Sequence, residues 1–112
     1  MKIETDEYVV DCTRPHLAVL SGAMRLASPK AYQDLFEHVH EGLSHAEDTY
    51  TIDLQGVQFM NSAGITAMAR LVLAARKLDR PLVIRASAAV PWQKKTIASL
   101  ERLHPRLQVD LS

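Results

Sequence analysis

The sequence predicts an α/β fold: a mixed, mostly parallel β-sheet with an antiparallel edge, helices packed on it, and the order β-β-α-β-α-β-α-β. Three observations predict it. Short apolar or alternating runs take turns with longer segments whose apolar residues recur every three or four positions. From the second strand onward each strand is separated from the next by one helix, a spacing that favours parallel pairing through right-handed crossovers. The chain has 112 residues, 47% of them hydrophobic, and no repeat, low-complexity run or linker divides it. It therefore reads as a single domain over residues 1–112 with a modest core.

The elements follow in order. Residues 7–12 and 16–21 read as two strands, joined by a hairpin turn at Thr13-Arg14-Pro15 and ended by Gly22. Residues 29–44 read as an amphipathic helix: Ser28 is a good N-cap, Pro29 suits the first position, and Tyr32, Leu35, Phe36, Val39 and Leu43 form the apolar stripe. Gly42 weakens its last turn. Residues 50–54 form the next strand, and 55–61 a loop with Val57 and Phe59 turned inward. Asn61 or Ser62 caps the helix 62–79, whose stripe is Ile65, Met68, Ala69, Val72, Ala75 and Leu78, and which Asp79-Arg80-Pro81 stops. Leu82-Val83-Ile84 suits a buried parallel strand. A helix over 90–103 turns Trp92, Ile97, Leu100 and Leu103 inward, and 107–111 alternates as a final strand.

Composition narrows the function. Thirteen basic and thirteen acidic residues cancel, so the chain lacks the basic excess that neutralises phosphates, and nucleic acid is not expected as a direct partner. The single cysteine, Cys12, cannot form an internal disulfide, and the charged N-terminus has no apolar signal core behind it. Thr66, Arg70 and Arg76 interrupt the longest helix, which excludes an ordinary membrane span. A cytoplasmic protein is expected, with no direct membrane insertion.

The stretch from Tyr50 to Ile65 (Tyr-Thr-Ile-Asp-Leu-Gln-Gly-Val-Gln-Phe-Met-Asn-Ser-Ala-Gly-Ile) resembles the signature of STAS domains. There an apolar strand ending in Asp-Leu is followed by a small loop residue, Val, and then Asp-Ser-Ser-Gly-Leu or a close variant opening a helix. The order of elements is similar to theirs, and the STAS fold is therefore expected. The resemblance to anti-sigma-factor antagonists implies a non-catalytic protein that binds an anti-sigma factor, often a kinase of the histidine-kinase-like ATPase fold, in a bacterial partner-switching system that regulates transcription. In such systems the kinase phosphorylates a signature-loop serine and breaks the complex. A phosphate at a helix start is tolerated in the free protein by the helix dipole, yet its charge is expelled from a packed interface.

The sequence departs from that pattern. The usual phosphoacceptor position is Ala63, which has no hydroxyl. The usual aspartate is Asn61, and the Gly-Glu-Leu-Asp run of many members is here Gly22-Ala23-Met24-Arg25. One reading is a constitutively unphosphorylated binder. The other makes Ser62 the phosphoacceptor, with Arg25 as counter-ion. The first is preferred, because a serine at this place is first of all a cap. Ala63-Gly64 matches equally well the Asp-Thr-Ala-Gly-Leu of the STAS subunit of phospholipid-transport ABC complexes, so an accessory subunit docking on an ABC ATPase is the alternative.

The candidate site is thus the loop Met60, Asn61, Ser62, Ala63, Gly64 and Ile65, with Arg25, Asp53, Thr66 and Arg70 as neighbours. Gly64 admits two readings: close approach of a partner, or tight packing of the helix start. His38, His40, His45 and Glu41 invite a metal, but His40 points away and no cysteine or aspartate completes a set, so a solvated helix face is expected and no metal or cofactor. Asp53 has no His–nucleophile pair beside it, and no enzyme is expected. Trp92 is read as core, Lys94-Lys95 as a solvated turn, and Leu73, off the predicted stripe, as a possible contact. A third possibility, a small-molecule binder, requires a pocket near Arg25 and Ser62.

Overall fold

The computed structural model covers residues Met1–Ser112. Its strands are β1 (Lys2–Glu4), β2 (Tyr8–Arg14), β3 (Leu17–Met24), β4 (Tyr50–Met60), β5 (Leu82–Ala86) and β6 (Leu107–Leu111). Its helices are α1 (Pro29–Leu35), α2 (Glu37–His45), α3 (Ser62–Lys77) and α4 (Pro91–Leu100), the last followed by a 3₁₀ turn, Glu101–Leu103. The six strands lie in sequence order, β1-β2-β3-β4-β5-β6, antiparallel from β1 to β3 and parallel from β3 to β6. The expected mixed sheet with an antiparallel edge is observed.

Sequential parallel strands joined by crossovers of one hand place every helix on one side of the sheet. Burial shows this directly. Tyr50, Ile52 and Leu54 of β4 are buried beneath the helices, while Thr51 and Asp53 are not. On the helix-free face the register aligns Lys2, Asp11, Val19, Asp53, Arg85 and Asp110 in one row across all six strands. Alternating apolar and polar residues in a half-covered sheet need no further explanation.

Several local expectations are corrected. Lys2–Glu4, read only as a charged terminus, pairs with β2 because Ile3 alternates inward between Lys2 and Glu4. Gly22 does not end β3. It sits at φ +94° beside a register shift, and a Cβ there would meet the Glu7 carbonyl, so glycine lets the strand bulge and continue to Met24. All of the expected loop 55–61 except Asn61 belongs to β4, held by pairing with β3 as far as Met24–Met60. Val57 is buried as expected, but Phe59 is 42% exposed, with the Arg25 guanidinium 5.0 Å from its ring centroid.

The helix expected over 29–44 is two pieces bent at Phe36 (φ −87°, ψ 5°). Hydrogen bonds from Phe36 N to Tyr32 O (2.8 Å) and from His40 N to Phe36 O (2.9 Å) run through the bend. Ser28 caps α1 as expected, its Oγ accepting from Ala31 N at 3.2 Å. In α3 the buried stripe is rotated from expectation: Ala67 and Leu71 are buried, Ile65 and Ala69 are half-buried, and Leu78 is 47% exposed. The helix ends where expected. Asp79 takes a left-handed conformation (φ 53°), Arg80 N donates to Ala75 O and Asp79 N to Arg76 O, a Schellman arrangement.

Candidate protein-binding site

The signature loop lies where β4 leaves the sheet and α3 begins. Asn61 is the hub. Its Oδ1 accepts from Gly64 N at 3.1 Å, which is the N-cap of α3, and from the Tyr32 hydroxyl at 2.7 Å. Its Nδ2 donates to Leu26 O at 2.9 Å, and its backbone N–H donates to Met24 O at 3.2 Å. One side chain thus ties α3 to α1 and to the end of β3. Burial raises the Tyr32 phenol above its ordinary value, so it stays protonated and remains a donor.

This network explains asparagine in place of aspartate. Leu26 presents a carbonyl oxygen that needs a donor, and a carboxylate would place a second acceptor against it. Asn61, not Ser62, is the cap. Ser62 is exposed in the first turn of α3, and its hydroxyl makes no hydrogen bond within the chain. The capping role that argued against a modified Ser62 therefore belongs to its neighbour.

Gly64 is a packing residue. It is buried, and a Cβ there would collide with Met60 Cγ and lie 2.9 Å from the Tyr32 hydroxyl. Met60 is 4% exposed, and Ala63 and Ile65 are half-buried against the core. Of the expected loop, only Ser62 is fully presented to solvent. Thr66 and Arg70 are exposed on the next turns of α3, and Leu73 (43% exposed) and Lys77 continue the same face. Arg25 lies beside the loop through Met24, which pairs with Met60.

Asp53 is not brought to the site. It lies on the helix-free face, seven residues before Met60, pairs in register with Val19 and Arg85, and accepts from Gln55 N at 2.9 Å. It does not end a strand, because β4 runs on past it. None of the cavities is lined by Arg25 or Ser62, so the pocket that a small-molecule binder requires there is absent. Cys12 does share a cavity with His38, Glu41 and His45, but no three ligating side chains converge.

Sequence reasoning missed Gln93. Beyond Asp53, β4 has no β5 neighbour, so its carbonyls on that edge need other donors. Gln93, fully buried in α4, supplies them: Nε2 donates to Leu54 O and Val57 O, both at 2.7 Å, while Oε1 accepts from Ser87 N at 2.8 Å. Trp92 Nε1 also donates to Val57 O, at 3.1 Å. Trp92 is half-buried rather than core, its indole forming part of a groove between α3 and α4. A polar residue between Trp92 and two lysines gave no pattern signal. Only a count of unpaired strand carbonyls, which needs the strand's true length, could have found it.

A family model described as "Mlab, STAS domain" matches residues 15–108. The chain belongs to the STAS domain family. No curated protein matches it. The matched span runs from the turn before β3 into β6 and includes the whole Asn61 junction, so the resemblance in the signature stretch and the observed sheet describe one domain type. The STAS family is generally non-catalytic. No helix of this member is long and apolar enough to cross a membrane.

Proposed function

We propose that this STAS domain is a non-catalytic regulator that acts by binding another protein, with Ser62 and the outer face of α3 as its contact surface. The observation that carries the reading is the face itself. Ser62, Thr66, Arg70, Leu73 and Lys77 recur every three or four residues, all are exposed, and neither Arg70 nor Lys77 pairs with a carboxylate. An exposed leucine flanked by unpaired cations has interactions to spare for a partner.

The favoured setting is bacterial partner switching in the cytoplasm, with an anti-sigma factor or a kinase-like ATPase as partner and transcription as output. The free Ser62 hydroxyl at the start of α3 supports a retained switch, with Arg25 as the nearby cation. A phosphate there adds close to two negative charges to a surface that would otherwise be packed against a partner. The second setting, an accessory subunit seated on an ABC ATPase, is supported by Ala63, which removes the usual acceptor hydroxyl and equally suits a constitutive contact.

The test is affinity capture from the source cells with identification of the bound protein, together with intact mass of the recovered domain. A soluble kinase-like ATPase with phosphate on Ser62 is the result expected for partner switching. A membrane-associated ABC ATPase with no phosphate moves the protein to the second setting. No specific partner at all contradicts the binding reading.

A further inference from the structure

The zero net charge conceals a sharp division. Residues 1–61 carry ten acidic and four basic side chains, whereas residues 62–100 carry seven basic and one acidic. Helices α3 and α4 hold five of those cations, Arg70, Arg76, Lys77, Lys94 and Lys95, and no acid. All five are exposed, and none forms an ion pair. The acids that cancel them in the total lie in the N-terminal half, on elements other than these two helices.

Between the two helices runs an open groove of about 550 Å³. Ile65 and Ala69 of α3, Trp92 and Leu100 of α4, and Leu103 line its apolar floor, and Lys95 stands among the lining residues. At one end the Arg76 guanidinium reaches the Leu103 carbonyl at 3.5 Å, which sets a cation beside the groove without neutralising it. The groove is therefore apolar within and positive around, on the side of α3 that turns toward α4.

Resting on the protein-binding reading, we propose that this groove docks an acidic amphipathic helix of the partner, its apolar residues seated between α3 and α4 and its carboxylates facing Lys95 and Arg76. An apolar stripe flanked by acids matches both features at once, and helix-in-groove docking reads such a stripe through anchors three to four residues apart. Charge complementarity would fix the orientation and speed the encounter. A lipid surface fits less well. Membrane-lying helices project their apolar side chains outward, whereas here the apolar groups form the floor of a recess.

Trp92, the only tryptophan in the chain, sits in the groove wall and reports occupancy directly. The probe is a synthetic helix of about fourteen residues, roughly four turns, with leucines three and four apart and glutamates elsewhere. A twin carries lysine for every glutamate. The acidic peptide should change Trp92 emission saturably and bind at least about tenfold more tightly than its twin, with the advantage shrinking as salt is added. Lys95→Glu should abolish or reverse the preference while the domain stays folded by circular dichroism. Equal binding of the twins, or no binding of either, overturns the inference. So does a Trp92 response to phosphatidylglycerol vesicles without one to the acidic peptide, which would make the surface a lipid contact. Capture from cells separates the two levels of the argument. A partner retained equally by wild type and Lys95→Glu removes the groove and leaves the binding reading intact, whereas no partner for wild type removes the latter.

Discussion

The start of α3 and the outer surface of α3 and α4 are built on opposite principles. At the start, Asn61 has satisfied partners for its side-chain oxygen, its side-chain nitrogen and its backbone N–H, all within the chain, and Gly64 is packed without room for a methyl group. On the outer surface, five cations have no carboxylate partner and Leu73 is 43% exposed. The residues that carry most of the family resemblance therefore hold the fold together. The capacity for new contacts lies one to four turns further on. A signature motif can mark a binding region because it positions the surface, without forming much of that surface itself.

If that division is right, substitutions should separate into those that cost stability and those that cost binding. The largest stability effect is expected at the β4 edge. Gln93→Leu leaves the buried Leu54 carbonyl and the Ser87 N–H without partners, and should cost about 3 kcal/mol in urea unfolding. Gly64→Ala comes next. The added Cβ must displace Met60 and the Tyr32 ring, at a cost of about 1–3 kcal/mol, partly offset by the better helix propensity of alanine.

Asn61→Asp keeps the cap oxygen and loses the donor to Leu26. A loss of about 1–2 kcal/mol at neutral pH is expected, and it should shrink in acid, where a protonated carboxyl can again donate. A full-sized loss that persists at low pH would mean that the Leu26 bond is not what selects asparagine. Arg70→Glu and Leu73→Glu, by contrast, should change stability by no more than about 0.5 kcal/mol.

The smallest effect concerns His40, half-buried in cavities that it shares with Arg70 on one side and with Asp34 and Glu37 on the other. Burial holds its imidazole below the ordinary value of 6.5. The folded state then binds a proton less readily than the unfolded chain. The stability that comes from the neutral ring is complete above pH 6.5 and is lost as pH falls through the lower folded value. His40→Gln should flatten that part of the stability profile. An unchanged slope would show that His40 titrates alike in both states.

Legibility followed the same division. The helix cap at Ser28, the stop at Asp79-Arg80-Pro81 and the parallel order of the later strands were readable, because local residue chemistry dictates them. The length of β4 was not. Gln55, Gly56 and Gln58 have loop composition, and only pairing with β3, whose own bulge at Gly22 was read as an end, keeps that stretch extended. The exposure of Phe59, the displacement of Asp53 from the site and the burial of Gln93 all follow from that one missed continuation. That the loop opens α3 was readable, but which loop residues face solvent was not, since Asn61 and Ser62 are equally plausible caps until Tyr32 and Leu26 are seen beside them.

The most direct test of the account pairs two readings on one variant: the urea midpoint of Leu73→Glu and its retention of the protein captured by wild type. The account predicts an unchanged midpoint and loss of the captured protein. An unchanged midpoint with undiminished capture would contradict it, and would place recognition on a surface other than the outer face of α3.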